Sequence, residues 1–285
     1  MGDYVVFHDV AWHGIYALYF FVIGISAALF FLSALSWFRE EYKPLRTPAF
    51  YGSFALLAVA GLMLIGDLSQ PARFLNTLNP AYWHMTSPLV WGTILLVAFG
   101  VVSIWYFTTL GKGDSAGRLP AMIGALLAIA IPVYTGFDLA VHQHRPVWNS
   151  SLVPVLFLAL SLISGAAVAT FLARGDQRLV AALRQIMLWG SGAVAIMVIS
   201  LVITTGYGGS AEELTYAFMT SGTMGMTFIG LGLLAGTLLP LLVLAVPMGR
   251  QQTGLMAAAV LILIGGISLR YSILMGPQIV QTFFS

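Results

Sequence analysis

The sequence predicts an all-α integral membrane protein of eight transmembrane helices, and three observations carry that reading. Of the 285 residues, 59% are hydrophobic and 8% charged, with a mean hydropathy of +0.94; soluble domains carry roughly 25% charged residues. Apolar runs long enough to span ~30 Å of hydrocarbon as helices recur eight times. The segments between them leave no room for a soluble domain, so residues 1–285 read as a single eight-helix transmembrane domain.

The first run, residues 12–37, follows a start that holds Asp3 and Asp9 but no Lys or Arg. A cleaved signal peptide begins basic, so this helix is expected to stay. The second and third, 49–68 and 88–110, flank "GDLSQPARF" and "TSPLVWG". The fourth, 119–140, holds Pro132 and Gly136, which make a kink or loosened turn plausible there. The fifth, 151–173, follows "RPVWNSS", and the sixth is 186–206. The seventh, 222–246, contains "GTMGMTFIGLGLLAG"; its glycines, like Gly24 and Ala28 in the first run, read as close helix packing. The eighth, 255–276, carries Arg270.

Orientation follows from Lys and Arg. Arg39, Lys43, Arg46, Lys112, Arg118, Arg174, Arg178, Arg184 and Arg250 fall on one side of the predicted membrane, against Arg73 and Arg145 on the other. Both termini are therefore expected on the outer (periplasmic) side of a bacterial inner membrane. The net charge of +2 is accounted for by this topology and gives no reason to expect nucleic acid.

The absences exclude several chemistries. With no cysteine the chain holds neither a disulfide nor a thiolate-ligated iron–sulfur cluster. His8, His13, His84, His142 and His144 lie at or beyond the outer ends of the predicted helices, so paired haem ligands at mid-depth are not expected. No phosphate-cradling glycine loop, zinc-ligand spacing or nucleophile–base motif appears.

The scarce polar groups share one level. With outward termini, His13 starts helix 1, Asp67 ends helix 2, Tyr134 and Asp138 approach the end of helix 4, and Arg270 sits in the outer half of helix 8. Tyr134 and Arg270 are each six residues from a helix end, roughly 9 Å below the interface. Tyr134 and Asp138, four apart, share a face. An arginine inside a span costs at least ~2.5 kcal/mol, so Arg270 is expected to pair with an aspartate of this cluster. His142, His144, Arg145 and Trp148 read as interfacial anchors, the histidines solvated.

Such a pocket suits a quinone, whose two carbonyl oxygens need donors or proton exchangers while its tail needs an apolar slot. Two rivals remain: a proton- or anion-coupled secondary transporter, which would need polar sites near the bilayer midplane, and a structural anchor with no quinone.

"AWHGIYALYF" (11–20), "DLSQPARF" (67–74), "TSPLVWG" (86–92), "VYTGFDLAV" (133–141), "RPVWNSSLVPVLF" (145–157) and "GGISLRYSILMGPQ" (265–278) resemble, in order, the NrfD-type membrane subunits, the polysulfide reductase membrane subunit above all. The resemblance implies an anchor subunit of an anaerobic respiratory complex. It would bind menaquinone or ubiquinone near the positive side and dock a ferredoxin-like iron–sulfur subunit joined to a molybdopterin catalytic subunit, with a dimer of the whole complex possible. It places Tyr134 on the family tyrosine that bonds a quinone oxygen, aligns Trp12 and His13, and sets Asp67 on or beside an acidic position. Tyr16 and Tyr19 stand where helix 1 contacts are expected, and Arg270 belongs to the C-terminal motif.

Overall fold

The structure, a computed structural model, describes residues 12–67, 76, 79–112, 116–173 and 176–279. Eight of its helices are long and apolar enough to cross a membrane. In chain order the helices are α1 (Ile15–Leu35), α2 (Arg46–Asp67), α3 (Pro88–Phe107), α4 (Arg118–Ala140), α5 (Leu152–Leu172), α6 (Gln177–Gly206), the short α7 (Ser210–Thr220), α8 (Gly222–Ala245) and α9 (Gln252–Ile279). Every spanning helix falls on an expected run, because hydrocarbon-length apolarity leaves the backbone no alternative to internal hydrogen bonding. One boundary and one element differ. α6 starts nine residues earlier than its apolar run, with Asp176 capping it by accepting from the backbone N–H groups of Arg178 and Leu179. α7 was not expected: it is amphipathic, with Glu212 and Glu213 in its first turn, too short and polar to register as a span.

α1, α5 and α9 form the centre of the bundle, each with most of its span buried, whereas α2 and α3 lie at the edge with little of theirs buried. Small residues set the close approaches. A Cβ on Gly165 of α5 would fall 2.3 Å from the Cβ of Ala28 on α1, and one on Gly236 of α8 would fall 2.1 Å from the Cα of Gly265 on α9. Contact of this kind replaces hydrophobic exclusion as the force between helices in lipid. Within α8, residues Met226–Leu238 run as a π-helix, and Thr237 Oγ1 donates to the carbonyl of Gly232 inside that wide turn.

The ends of α1, α4 and α9 are stitched together at what we call the terminal end of the bundle. Pro277, lacking an N–H, leaves the carbonyl of Ile273 four residues back without its helical donor. Trp148 Nε1 donates to that carbonyl at 2.6 Å. Arg145 Nη1 donates to the carbonyl of Pro277 at 2.8 Å, one of the last four carbonyls that a helix leaves unpaired. Gln278 then clasps the start of α1: its Oε1 accepts from Trp12 N and its Nε2 donates to Trp12 O, both at 3.0 Å. Arg145 and Trp148 are therefore buried staples into α9, 6% and 1% exposed, and not the interfacial anchors the sequence suggested.

At the opposite, distal end, Ser33 Oγ donates to the carbonyl of Arg46, and Trp37 Nε1 donates to the Tyr106 hydroxyl at 2.8 Å. Phe50 and Tyr51 of α2 meet Tyr106 and Phe107 of α3 there, the rings 5.3–6.3 Å apart.

Trp148→Phe should lower the thermal midpoint of the detergent-solubilised chain, losing about 1–2 kcal/mol for an orphaned carbonyl. In a Pro277→Ala background, where the helix supplies its own donor, the same substitution should cost measurably less; equal losses in both backgrounds would show that the indole does not act through the Ile273 carbonyl.

Candidate functional site

The staples bring the terminal ends of α1 and α4 side by side, and a column of side chains lines the seam between them. At its surface end, Trp12 sits edge-on to Tyr16 with centroids 4.8 Å apart, and His142 packs against Trp12 and Trp148 at 6.3 and 5.4 Å. His142 is half-buried, with Nδ1 3.3 Å from the carbonyl of Leu139; His144 is exposed. Partial desolvation, then the charges of Arg145 and His142, hold the His144 imidazole below its ordinary pKa. Below this cap lie Asp138 and Tyr134, one and two helical turns inward on α4, and Tyr19 on α1.

Asp138, Tyr134 and Tyr19 form the centre of the site. Asp138 is 4% exposed and Tyr19 9%, and the carboxylate lies within electrostatic reach of both tyrosines, as the tyrosines do of each other. Among the described residues, no side-chain hydrogen bond reaches these two hydroxyls or this carboxylate. Tyr134 owes its position to α3. A Cβ on Gly92 would stand 2.1 Å from Tyr134 Cζ and 2.2 Å from its hydroxyl oxygen, so the tyrosine tip rests in a notch that only glycine leaves open. Gly136 does the same on the other side of α4, meeting the backbone of Pro154.

α2 leans on α1, and α3 on α4, so the space between α2 and α3 overlies this seam. Their aromatic contacts are confined to the distal end. Among the described residues, toward the terminal end α3 buries none before Phe99, and α2 none after Ala60. A small cavity of about 10 Å³, room for the centre of one water molecule, opens here beside Tyr16 and Tyr19 and is closed on the α2 side by Met63 and Leu64.

Thus of the seven residues expected at the site, Tyr134, Asp138 and Tyr19 come together, and Tyr16 lines the small cavity beside Tyr19. His13 is exposed at the start of α1, and among the described residues no hydrogen bond or ring contact joins it to Tyr134 or Asp138. The Asp67 side chain lies outside the described residues. Arg270 goes elsewhere. It is 1% exposed, set between α1 and α5 in a notch formed by Gly24 and Gly266. Its Nη2 donates to Ser161 Oγ at 2.9 Å and to the Phe157 carbonyl at 3.4 Å, and its Nη1 donates to the Gly266 carbonyl at 3.1 Å. The rings of Phe21 and Phe157 flank the guanidinium, each 5.7 Å away. Among the described residues Arg270 has no aspartate partner: the one ion pair there is Lys43–Glu40. Three acceptors and two aromatic faces hold this cation instead.

With this geometry in hand, comparison with known proteins is informative. The family model for "Polysulphide reductase, NrfD" matches residues 5–281. The chain belongs to the NrfD polysulphide reductase family. It is 25% identical to a polysulfide reductase chain of Wolinella succinogenes over 313 aligned positions, covering 97% of each protein. It is 27% identical to a tetrathionate reductase subunit of Salmonella typhimurium over 67% of this chain, and spans only 57% of that protein's length. It is 28% identical to protein NrfD of Escherichia coli over 57% of this chain and 59% of the relative. Family membership and eight apolar helices make it a multi-pass membrane protein.

The NrfD-like motifs now have physical jobs. The glycine of "TSPLVWG" seats Tyr134, and the arginine and tryptophan of "RPVWN" and the glutamine of "GPQ" close the terminal end. Sequence reasoning missed Gly92, whose signal was its place beside an aromatic motif in an otherwise ordinary apolar run.

Gly92→Ala should destabilise the chain by about 1–3 kcal/mol through overpacking, and by much less in a Tyr134→Ala background, read as thermal midpoints. Arg270→Met should leave the midpoint unchanged or raised, since burying a charge without a carboxylate is costly and its acceptors keep helical or serine donors; a large drop would contradict that.

Proposed function

We propose that this chain is the quinone-binding membrane anchor of a respiratory oxidoreductase, with electrons passing between menaquinol or ubiquinol and an iron–sulfur subunit linked to a molybdopterin catalytic subunit. Both termini and the Tyr134 end face outward from a bacterial inner membrane, and the partners dock on that face. The observation that carries this reading is the meeting of Tyr19, Tyr134 and Asp138 beneath the terminal end, on helices stitched together by family motifs. The names of the relatives, components of polysulfide and tetrathionate reductases, support the wider assignment.

The residues present fit a quinone head. Two tyrosine hydroxyls without hydrogen bonds among the described residues are suited to the two ring oxygens, since a phenol donates to a carbonyl and accepts from a hydroquinone. The bound group would supply a two-electron, two-proton couple. Asp138 accepts a proton at its carboxylate, and the buried seam keeps bulk water from the exchange. His142, one turn nearer the surface on the same face, offers the next proton position. The apolar tail would lie in the gap between α2 and α3, where both helices are unburied. The cavity beside Tyr19 holds about 10 Å³, so the ring is admitted by displacement of Met63 and Leu64.

In the assembled complex, Tyr134→Phe should reduce quinol-driven turnover at least tenfold while leaving turnover from an artificial donor to the catalytic subunit unchanged. Unchanged quinol turnover and quinone content would remove Tyr134 from the site. Met63→Trp should impair quinol turnover by filling the slot, with Leu62→Trp, on the lipid-exposed side of α2, as the control that leaves it intact.

A further inference from the structure

The largest void described lies far from the tyrosines. At the distal end, where α5 finishes and α6 and α9 begin, a cavity of about 430 Å³ is lined by Arg250, Gln177, Gln252 and Thr170 together with apolar residues including Phe171 and Met256. We propose that this cavity binds an anionic phospholipid, its phosphate held by Arg250, Gln177 and Gln252 and its acyl chains running over Phe171 and Met256.

Depth is the first argument. The lining comes from the last turn of one spanning helix and the first turns of two others, which is where headgroups meet hydrocarbon. Phe171 is 45% exposed, so the apolar wall continues onto the lipid-facing surface. A free aqueous anion would have no use for that continuation.

The donor set is the second. Arg250 carries a permanent charge with a planar fork suited to phosphate oxygens, and the two glutamine amides add neutral donors. Thr170 Oγ1 donates to the carbonyl of Ala166 at 2.9 Å, so toward the cavity its oxygen can only accept. Donors for the phosphate oxygens, with the Thr170 oxygen and the glutamine carbonyls as acceptors, match a phosphodiester that bears a hydroxylated headgroup, such as phosphatidylglycerol. Arg250 forms no ion pair among the described residues. The nearest acidic residue in sequence to this lining, Asp176, is engaged in capping α6.

Preorganisation is the third. The turn Pro247–Arg250 that presents the guanidinium is clamped at both ends. A Cβ on Gly249 would lie 2.5 Å from the Val243 carbonyl, and one on Gly254 would lie 2.2 Å from the Met248 carbonyl. Arg184 of α6 donates to the carbonyl of Leu244 and ties the preceding helix end to the same wall. The arginine is thus carried on a rigid rim.

The test uses the full chain purified in a neutral detergent, with bound lipid counted by native mass spectrometry after extensive washing. The wild type should retain about one phosphatidylglycerol per chain, and the double variant Arg250→Gln, Gln252→Leu at most a third of that, with the folded monomer unchanged. Met256→Trp, which fills the apolar wall without touching charge, should also lower retention, whereas Arg39→Gln, a cation of the same end outside the cavity, should not. Added phosphatidylglycerol should raise the thermal midpoint of the wild type more than phosphatidylcholine or inorganic phosphate does. Equal retention by the double variant would overturn the site, and an equal shift with inorganic phosphate would overturn the lipid as its occupant.

Discussion

Hydrocarbon offers a backbone carbonyl no partner, and Pro277 leaves one such carbonyl bare a turn and a half from the end of α9. The rest of the terminal end depends on how that vacancy is filled. Because the indole of Trp148 supplies the missing donor, the link between α4 and α5 is drawn into the bundle. Arg145 follows onto the next free carbonyl, and Gln278 takes hold of the first turn of α1. Three segments distant in sequence are thereby fixed in register. The depth at which Tyr19 meets Tyr134 and Asp138 is a consequence of that register and of the Gly92 notch.

The eight spans were legible because lipid imposes one solution on twenty apolar residues. What hydropathy conveys is depth, and depth alone. It gave Tyr134 and Arg270 the same level but carried no information on azimuth. Arg270 turns toward α1 and α5 across two glycines and forms no ion pair with Asp138. The same limit explains Arg145 and Trp148: an arginine and a tryptophan at a helix end belong equally to an interfacial belt and to a staple, and only the proline on α9 distinguishes them. The polar first turns of α6 and the whole of α7 escaped because amphipathic surface helices lack the long apolar run that announces a span.

The bundle divides its labour unevenly. α1, α5 and α9 meet through small residues at near-backbone distances, an arrangement that tolerates little movement. The two terminal nitrogens of Arg270 are met locally by carbonyls and a serine, whereas its Nε and the hydroxyls of Ser164 and Ser272 are buried without a hydrogen bond among the described residues. α2 and α3 take no comparable share of the interior, and each is attached mainly to one neighbour.

That attachment has a mechanical consequence. α2 and α3 are pinned to one another by rings at the distal end and bury few described residues toward the other, like the legs of a pair of tweezers. A helix of 22 residues is about 33 Å long, so swinging α2 about its pinned end by some 6° carries its tip about 3.5 Å, the thickness of an aromatic plane. Access to the buried seam can then be governed by a pivot whose fulcrum lies a membrane's width away, and substitutions among Phe50, Tyr51 and Phe107 would alter how readily the far end gapes without touching anything that lines it.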